Sequence, residues 1–133
     1  MTQYGEIATL HLGSKTWILL NSKRAVAEII AKRGSATNTR SPMPISSGIP
    51  RRVMHSLTPE HTASRDIDFQ GYHFPAGVGF VINGIAVGDE CEDPAAFRPE
   101  RWLDGFEADI THGLWQFGGG RRICISYRLA QRS

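Results

Sequence analysis

Residues 7–12 alternate, with Ile7, Thr9 and His11 on one face and Ala8, Leu10 and Leu12 on the other, the period of a β-strand. Gly13 and Ser14 mark a turn, and Thr16 to Leu20 is β-branched and apolar. The pair predicts a hairpin. The spacing then changes to Ala25, Val26, Ile29, Ile30 and Arg33. That is the spacing of a helix, with Asn21 or Ser22 as its cap and Gly34 as its stop. Small polar residues and prolines run on to Pro50 and predict loop. Further on, residues 53–57 predict a strand. Residues 69–74, a Pro75-Ala76-Gly77 turn and residues 78–82 predict a second hairpin, and residues 83–87 a single helical turn. The last patterned stretch is 117–130, FGGGRRICISYRLA, where an aromatic, three glycines and two arginines lead to Cys124. The leucine-alanine step beyond predicts the start of a helix.

The chain has 133 residues, 41% hydrophobic and 21% charged, which predicts one globular domain with a core of its own. A net charge of +2 gives no reason to expect a polyanion partner. The charge is unevenly placed. Eight bases face only Glu6 and Glu28 through Arg52, and eight acids face only Arg98 and Arg101 between Asp89 and Asp109. Polar residues follow Met1 without a long apolar run, so neither a signal peptide nor a membrane span is expected. Two cysteines in unlike surroundings suggest no disulfide framework, and hence a reducing, intracellular setting. His55, His61, His73 and His112 show no metal-ligand spacing, and no C-x-x-C is present to build a zinc site. The glycine run lacks the G-K-[ST] that a phosphate loop requires.

The chemistry concentrates at Cys124. Arg121, Arg122 and Arg128 surround it, which favours thiolate. A helix opening just beyond would aim free N–H groups at the sulfur. The glycines let the backbone lie flat against a ligand. These features describe a thiolate held ready as a metal ligand or nucleophile. Cys91 is the contrast, ringed by Asp89, Glu90, Glu92 and Asp93. Carboxylates hold a thiol neutral, and no role is expected for it. A different class of function, single-stranded nucleic acid binding with Trp115 and Phe117 as stacking groups, is opposed by the near-zero net charge and the acidic middle.

Phe117, Gly120, Arg122 and Cys124 match F-x-x-G-x-R-x-C-x-G, so this stretch resembles the heme-binding loop of the cytochrome P450 monooxygenases. Three positions depart from that pattern. Ser126 replaces the glycine two after the cysteine, Ile125 a frequent proline just after it, and Gly119 a frequent aromatic. Upstream, Phe97, Pro99, Glu100, Arg101 and Trp102 are similar to the family's F-x-P-E-R-F/W segment. The hairpin and helix of residues 4–49 resemble the family's N-terminal part. The phrase Lys32-Arg33-Gly34-Ser35, Arg40 and Pro42-Met43-Pro44 resemble the loop that follows.

The resemblance implies that Cys124 is the axial ligand of a heme b iron and that Phe117 and Gly120 lie against the heme. It also implies that Arg122, with Arg52 or Arg51, meets the propionates. It assigns no catalytic side chain. The family's activity is insertion of one oxygen atom from O₂ into a small organic substrate. Its electrons come from an NADPH-dependent reductase, and its members are often membrane-anchored. Two family features are missing from the sequence: the helix with an acidic-alcohol pair above the heme, and an E-x-x-R motif to meet Arg101. The junction between the two recognisable ends falls between Ser47 and Arg52. The expected fold is therefore α+β, an incomplete cytochrome P450 fold lacking the central helical region. It forms a single partial domain over 1–133, divided into 1–49 and 50–133, internally deleted and short at its C-terminus. The expected function is a heme-thiolate monooxygenase by resemblance, non-functional as it stands. The alternatives are a heme-binding remnant without turnover and an Arg/Gly-loop nucleic-acid module. Phe97, Trp102, Leu103 and Trp115 would lack the cover of the absent helices, and the Cys124 loop would be exposed with mobile glycines. Phe106 reads with Phe97, Trp102 and Trp115 as packing material rather than as part of a cofactor box.

Overall fold

The computed structural model describes residues 4–40, 59–102 and 115–130. The first hairpin forms as the alternation predicts. Strands β1 (Ile7–Leu12) and β2 (Lys15–Leu20) pair antiparallel from Ile7↔Leu20 to Leu12↔Lys15. Only part of the alternation becomes burial. Ile18 and Leu20 on β2 enter the core, whereas Thr9 to Leu12 of β1 are exposed on both faces.

Ser22 then caps helix α1 (Lys23–Val26), its extended backbone turning the side chain to accept from the Ala25 N–H at 3.0 Å. This satisfies one of the orphan donors of a helix start. The helix widens into a π turn over Ala27–Ala31, closed by Lys32 N–H donating to the Ala27 carbonyl at 2.9 Å. Its buried face is Ala25, Val26, Ile29 and Ile30, the residues whose spacing predicted it.

The second hairpin lies elsewhere than the sequence suggests. Strands β4 (Ile67–Phe69) and β5 (Tyr72–Phe74) pair with each other in a separate two-stranded sheet. Gln70 and Gly71 both take positive φ, 52° and 82°, the arrangement of a two-residue hairpin turn. Pro75 to Gly77 is thus not a hairpin turn. It carries the chain back to the larger sheet, where Gly77 N–H donates to the Ala63 carbonyl at 2.8 Å.

That larger sheet has the order β1-β2-β6-β3, with β3 at His61–Thr62 and β6 at Gly79–Ile82. β6 runs parallel to β2, from Trp17↔Gly79 to Leu20↔Ile82, and antiparallel to β3. All four β6 residues are buried, as expected for a strand covered on both faces. Asn83 fastens the end of the parallel pair. Its N–H donates to the Leu20 carbonyl and its Nδ2 to Asn21 Oδ1, both at 3.0 Å. Its Oδ1 caps helix α2 (Gly84–Gly88) by accepting from Ala86 N–H. Glu60 is buried beside this sheet. It accepts from Trp17 Nε1 at 3.1 Å and Thr62 Oγ1 at 3.3 Å, and faces Lys15 Nζ at 3.8 Å. Gly79 leaves it room, since a Cβ there would collide with the carboxylate.

Beyond α2 come short 3-10 turns at Pro99–Trp102, Trp115–Phe117 and Gly120–Arg122, then the single-turn helix α3 (Tyr127–Ala130). The core gathers Ile18, Leu20, Ile29, Ile30, Phe80 and Ile82 with Phe69, Phe74 and Trp115. The observed α+β arrangement agrees with the expected class. Phe97 is 95% exposed, as its lack of cover implies. Trp115 corrects the same expectation, because it is 3% exposed, its segment packing against α2 and its ring lying beside Gly119. The predicted strand at 53–57, the junction at 47–52 with Arg51 and Arg52, Leu103, Phe106 and the side chains of Arg101 and Trp102 lie outside the described residues.

Leu20 touches both parts of the fold and is fully buried. Leu20→Ala is expected to lower the unfolding free energy by about 2–5 kcal/mol, the range for a buried leucine, measured by urea titration.

Candidate functional site

The loop around Cys124 is built on the end of the π turn. Three backbone bonds fold it. Gly118 N–H donates to the Trp115 carbonyl at 2.9 Å, Ile123 N–H to Gly120 at 3.4 Å, and Cys124 N–H to Phe117 at 2.8 Å. The last closes a ring from the motif's aromatic to its cysteine. Phe117, Gly120, Arg122 and Cys124 therefore lie together in one short loop.

Two glycines from distant parts of the chain make the docking possible. Gly120 has φ +60°, and a Cβ on it would stand 2.6 Å from the Ile30 carbonyl oxygen. A Cβ on Gly34 would meet the Arg121 amide nitrogen at 3.3 Å and the Gly120 Cα at 3.4 Å. Gly34 thus serves close backbone approach rather than the helix stop expected of it, since the helix ends at Ala31 with Lys32 as its cap and Gly34 has no positive φ. The loop is not as free as the sequence suggests, because Gly118 and Gly119 are buried. Cys124 itself is exposed, as expected.

Two of the three arginines expected to surround the thiol are engaged elsewhere. Arg122 Nε donates to the Asn38 carbonyl at 2.8 Å. The Arg128 guanidinium lies 5.7 Å from the Tyr127 ring centroid, with its Nε 3.1 Å from that hydroxyl. The helix beyond Cys124 is one turn long, and its first N–H, on Tyr127, goes to the Cys124 carbonyl at 3.3 Å. Cys91 is half-buried, with its Sγ 3.4 Å from the Gly88 carbonyl oxygen. Among the described residues no group of three His, Cys, Asp or Glu side chains is placed to hold a metal ion.

His61 enters the site without any signal in the motifs. It is fully buried, its Nδ1 3.0 Å from the Thr37 carbonyl oxygen, and its Nε2 lies 4.0 Å from where a Gly118 Cβ would be. Burial pushes its pKa below the ordinary histidine value, and the nearby charges of Arg40 and Arg122 act in the same direction, against the hydrogen bond to Thr37. Asn38 likewise belongs to the site only through its backbone, which no side-chain pattern could reveal.

The cytochrome P450 family model matches residues 51–133. The fold around a single exposed cysteine loop and this match define a heme-thiolate protein class, and the chain belongs to the cytochrome P450 family. The Arabidopsis thaliana flavonoid 3'-monooxygenase is 38% identical over 92 residues, 60% of this chain and 18% of that protein. Cytochrome P450 76A2 of Solanum melongena is 39% identical over 82 residues, 57% of this chain and 16% of that protein. A zebrafish cytochrome P450 structure with abiraterone superposes with a TM-score of 0.46 at 26% identity, covering 57% of this chain and 18% of that one. The chain thus spans less than a fifth of the length of the curated relatives it matches. The family's cofactor is heme iron, with O₂ and reductase-derived electrons as co-reactants, and the relatives above carry monooxygenase or cytochrome P450 names. Among the described residues no helix is long and apolar enough to cross a membrane.

Gly120→Ala should force a positive φ on a residue with a Cβ and drive that atom into the Ile30 carbonyl. A cost of about 1–3 kcal/mol is expected, together with faster hydrogen exchange at the Cys124 amide. An unchanged midpoint and unchanged exchange would place the loop elsewhere. His61 gives a pH dependence. Below its ordinary pKa of about 6.5 the unfolded chain takes up a proton that the folded chain resists. The contribution of His61 to stability therefore falls as pH drops from there toward the lowered folded value, and is level above it. His61→Gln should flatten this slope in urea midpoints measured across that range.

Proposed function

We propose that this chain carries the axial-ligand loop of a heme-thiolate monooxygenase and that Cys124 ligates the heme iron. The observation behind this is the exposed thiol at the mouth of a loop closed between Phe117 and Cys124. The donor set fits the group. An exposed thiol suits a thiolate-ligated heme, and a run of glycines leaves no side chains to hold a flat ring away. Phe117, half-buried beside the cysteine, would lie against the ring with Gly120 behind it. Arg122 is exposed and held by a neutral carbonyl, so it is free to exchange that partner for a propionate, a stronger charge-assisted bond. Arg52 is the second propionate candidate, on the resemblance alone.

Heme bound here would supply oxygen activation, and the protein's part is the thiolate and the surface around it. Insertion of an oxygen atom into a small organic substrate, with electrons from a reductase, is the activity of the longer proteins this chain resembles. The sequence contains no E-x-x-R motif to meet Arg101 and no acidic-alcohol helix segment. Heme binding without turnover is therefore the reading for this chain by itself.

Titration with hemin tests it. The wild-type chain should give the Soret absorption of thiolate-ligated heme in the reduced, CO-bound state, and Cys124→Ala should lose that signature while Cys91→Ala keeps it. No product should form when reductase, NADPH and O₂ are added. Cys124-dependent product formation would overturn the non-catalytic reading, and a thiolate signature surviving Cys124→Ala would overturn the ligand assignment.

A further inference from the structure

β1 is an outer strand of the main sheet. The Asn21 N–H donates to the Glu6 carbonyl at 2.9 Å, which fixes the hydrogen-bonding phase of the hairpin. In the observed register Glu6, Ala8, Leu10 and Leu12 aim their backbone groups at β2. The N–H and C=O groups of Ile7, Thr9 and His11 therefore point away from the sheet, and among the described residues no strand pairs with them. The opposite edge is different. β3 has two residues, and Thr39 bridges to Thr62 there.

Edge strands are ordinarily protected by Lys, Pro, bulges or extreme shortness. β1 has none of these. It is six residues long, pairs without a bulge, and contains no Asp, Glu, Lys, Arg or Pro. Leu10 and Leu12 are exposed on it. We propose that the outer edge of β1 docks a second copy of this chain, joining antiparallel about a two-fold axis through Thr9.

The occupant follows from complementarity. An uncharged strand meets its own copy without like-charge repulsion, while a charged partner strand would find no counter-charge. A two-fold axis at Thr9 pairs Ile7 with His11 and Thr9 with its copy as narrow pairs, each exchanging two N–H···O bonds. The same register sets Ala8 against Leu10. It also crosses Thr9 with Thr9, a favourable cross-strand pair. Glu6 falls opposite Leu12 but is already neutralised by Arg24, whose Nη2 lies 2.6 Å from its carboxylate. The dimer is a continuous sheet across two copies. One strand from each side is a small junction beside the roughly 1,200–2,000 Å² of stable interfaces, so association is weak and concentration-dependent. It requires no heme and stands apart from the Cys124 assignment.

Cross-linking tests the register. In a Cys91→Ser/Cys124→Ser background, Thr9→Cys places two thiols across a narrow pair about 5.5 Å apart at Cα, inside the disulfide range of about 4.4–6.8 Å. Mild oxidation should give a covalent dimer. Leu12→Cys, also exposed but far from the axis, should not. Equal cross-linking of both, or none at Thr9, overturns the proposal. Sedimentation supplies the second reading. The wild-type mass should rise with concentration, and Thr9→Lys, which sets two like charges face to face without touching an intrachain bond, should stay monomeric. A wild-type monomer up to the solubility limit overturns the proposal. So does a Thr9→Lys protein that associates as wild type does, as association through Phe97 or Leu129 would produce.

Discussion

The parallel pairing of β2 with β6 is the constraint on which the rest depends. β2 belongs to the N-terminal hairpin and β6 to the segment matched by the family model. Parallel partners cannot be joined by a tight turn, so this contact is made only if the chain between them travels across the sheet and returns. Burial supplies the driving force. Leu20, Phe80 and Ile82 are fully buried there, with Ile29 and Ile30 of the π turn beside them. The apolar side chains of such a cluster contribute about 1.5–3 kcal/mol each. Asn83 adds direction, because its backbone N–H and amide nitrogen hold the end of β2 at Leu20 and Asn21 while its side-chain oxygen caps α2. A shift of β6 by one residue would break these bonds and turn its side chains to the opposite faces.

The cysteine loop depends on that sheet at one remove. The sheet holds the helix, and the helix presents Ile30 and the Gly34 turn as a platform. The platform accepts Gly120 because neither glycine brings a Cβ into the gap. His61 on β3 closes the same region from the sheet side, its ring tied to Thr37. The loop is therefore positioned by backbone contacts from both parts of the chain. The family match covers only residues 51–133, so the supports at Ile30, Gly34 and Asn38 come from residues beyond it.

Much of this was legible in the sequence. The alternation of 7–12, the helical spacing of 25–30, the Ser22 cap and the helical turn near 83–87 are local signals, and each formed where it was read. The cysteine motif likewise gathered Phe117, Gly120, Arg122 and Cys124 by adjacency alone. The errors share one physical origin, which is that long-range partners leave no local trace. β6 looked like half of a hairpin with residues 69–74, since nothing local shows that β2 will take it in parallel. The turn at Gln70-Gly71 lacks the Asn-Gly or Asp-Gly signature of its type. Arg122 looked like part of a charge shell around the thiol, but its partner is a backbone carbonyl at Asn38. Trp115 looked uncovered because its cover comes from α2, distant in sequence, and from the glycine run.

Trp115 also shows how finely the loop is balanced. Its ring lies against Gly119, where a Cβ would come within 3.2 Å, and it is almost wholly buried. Burying so large an aromatic strongly favours the docked loop. Yet its indole N–H finds no hydrogen-bond partner among the described residues. An orphaned buried donor costs about 1–3 kcal/mol, comparable with what burial of one large apolar side chain contributes. The indole's net hold on the loop is thus a difference of similar quantities. The firmer anchors are the ones without an opposing term: the Cys124–Phe117 backbone bond, the Gly34–Gly120 approach and the Arg122–Asn38 contact. Two of these three are backbone alone, so the position of the cysteine is set more by chain geometry than by any side chain near it.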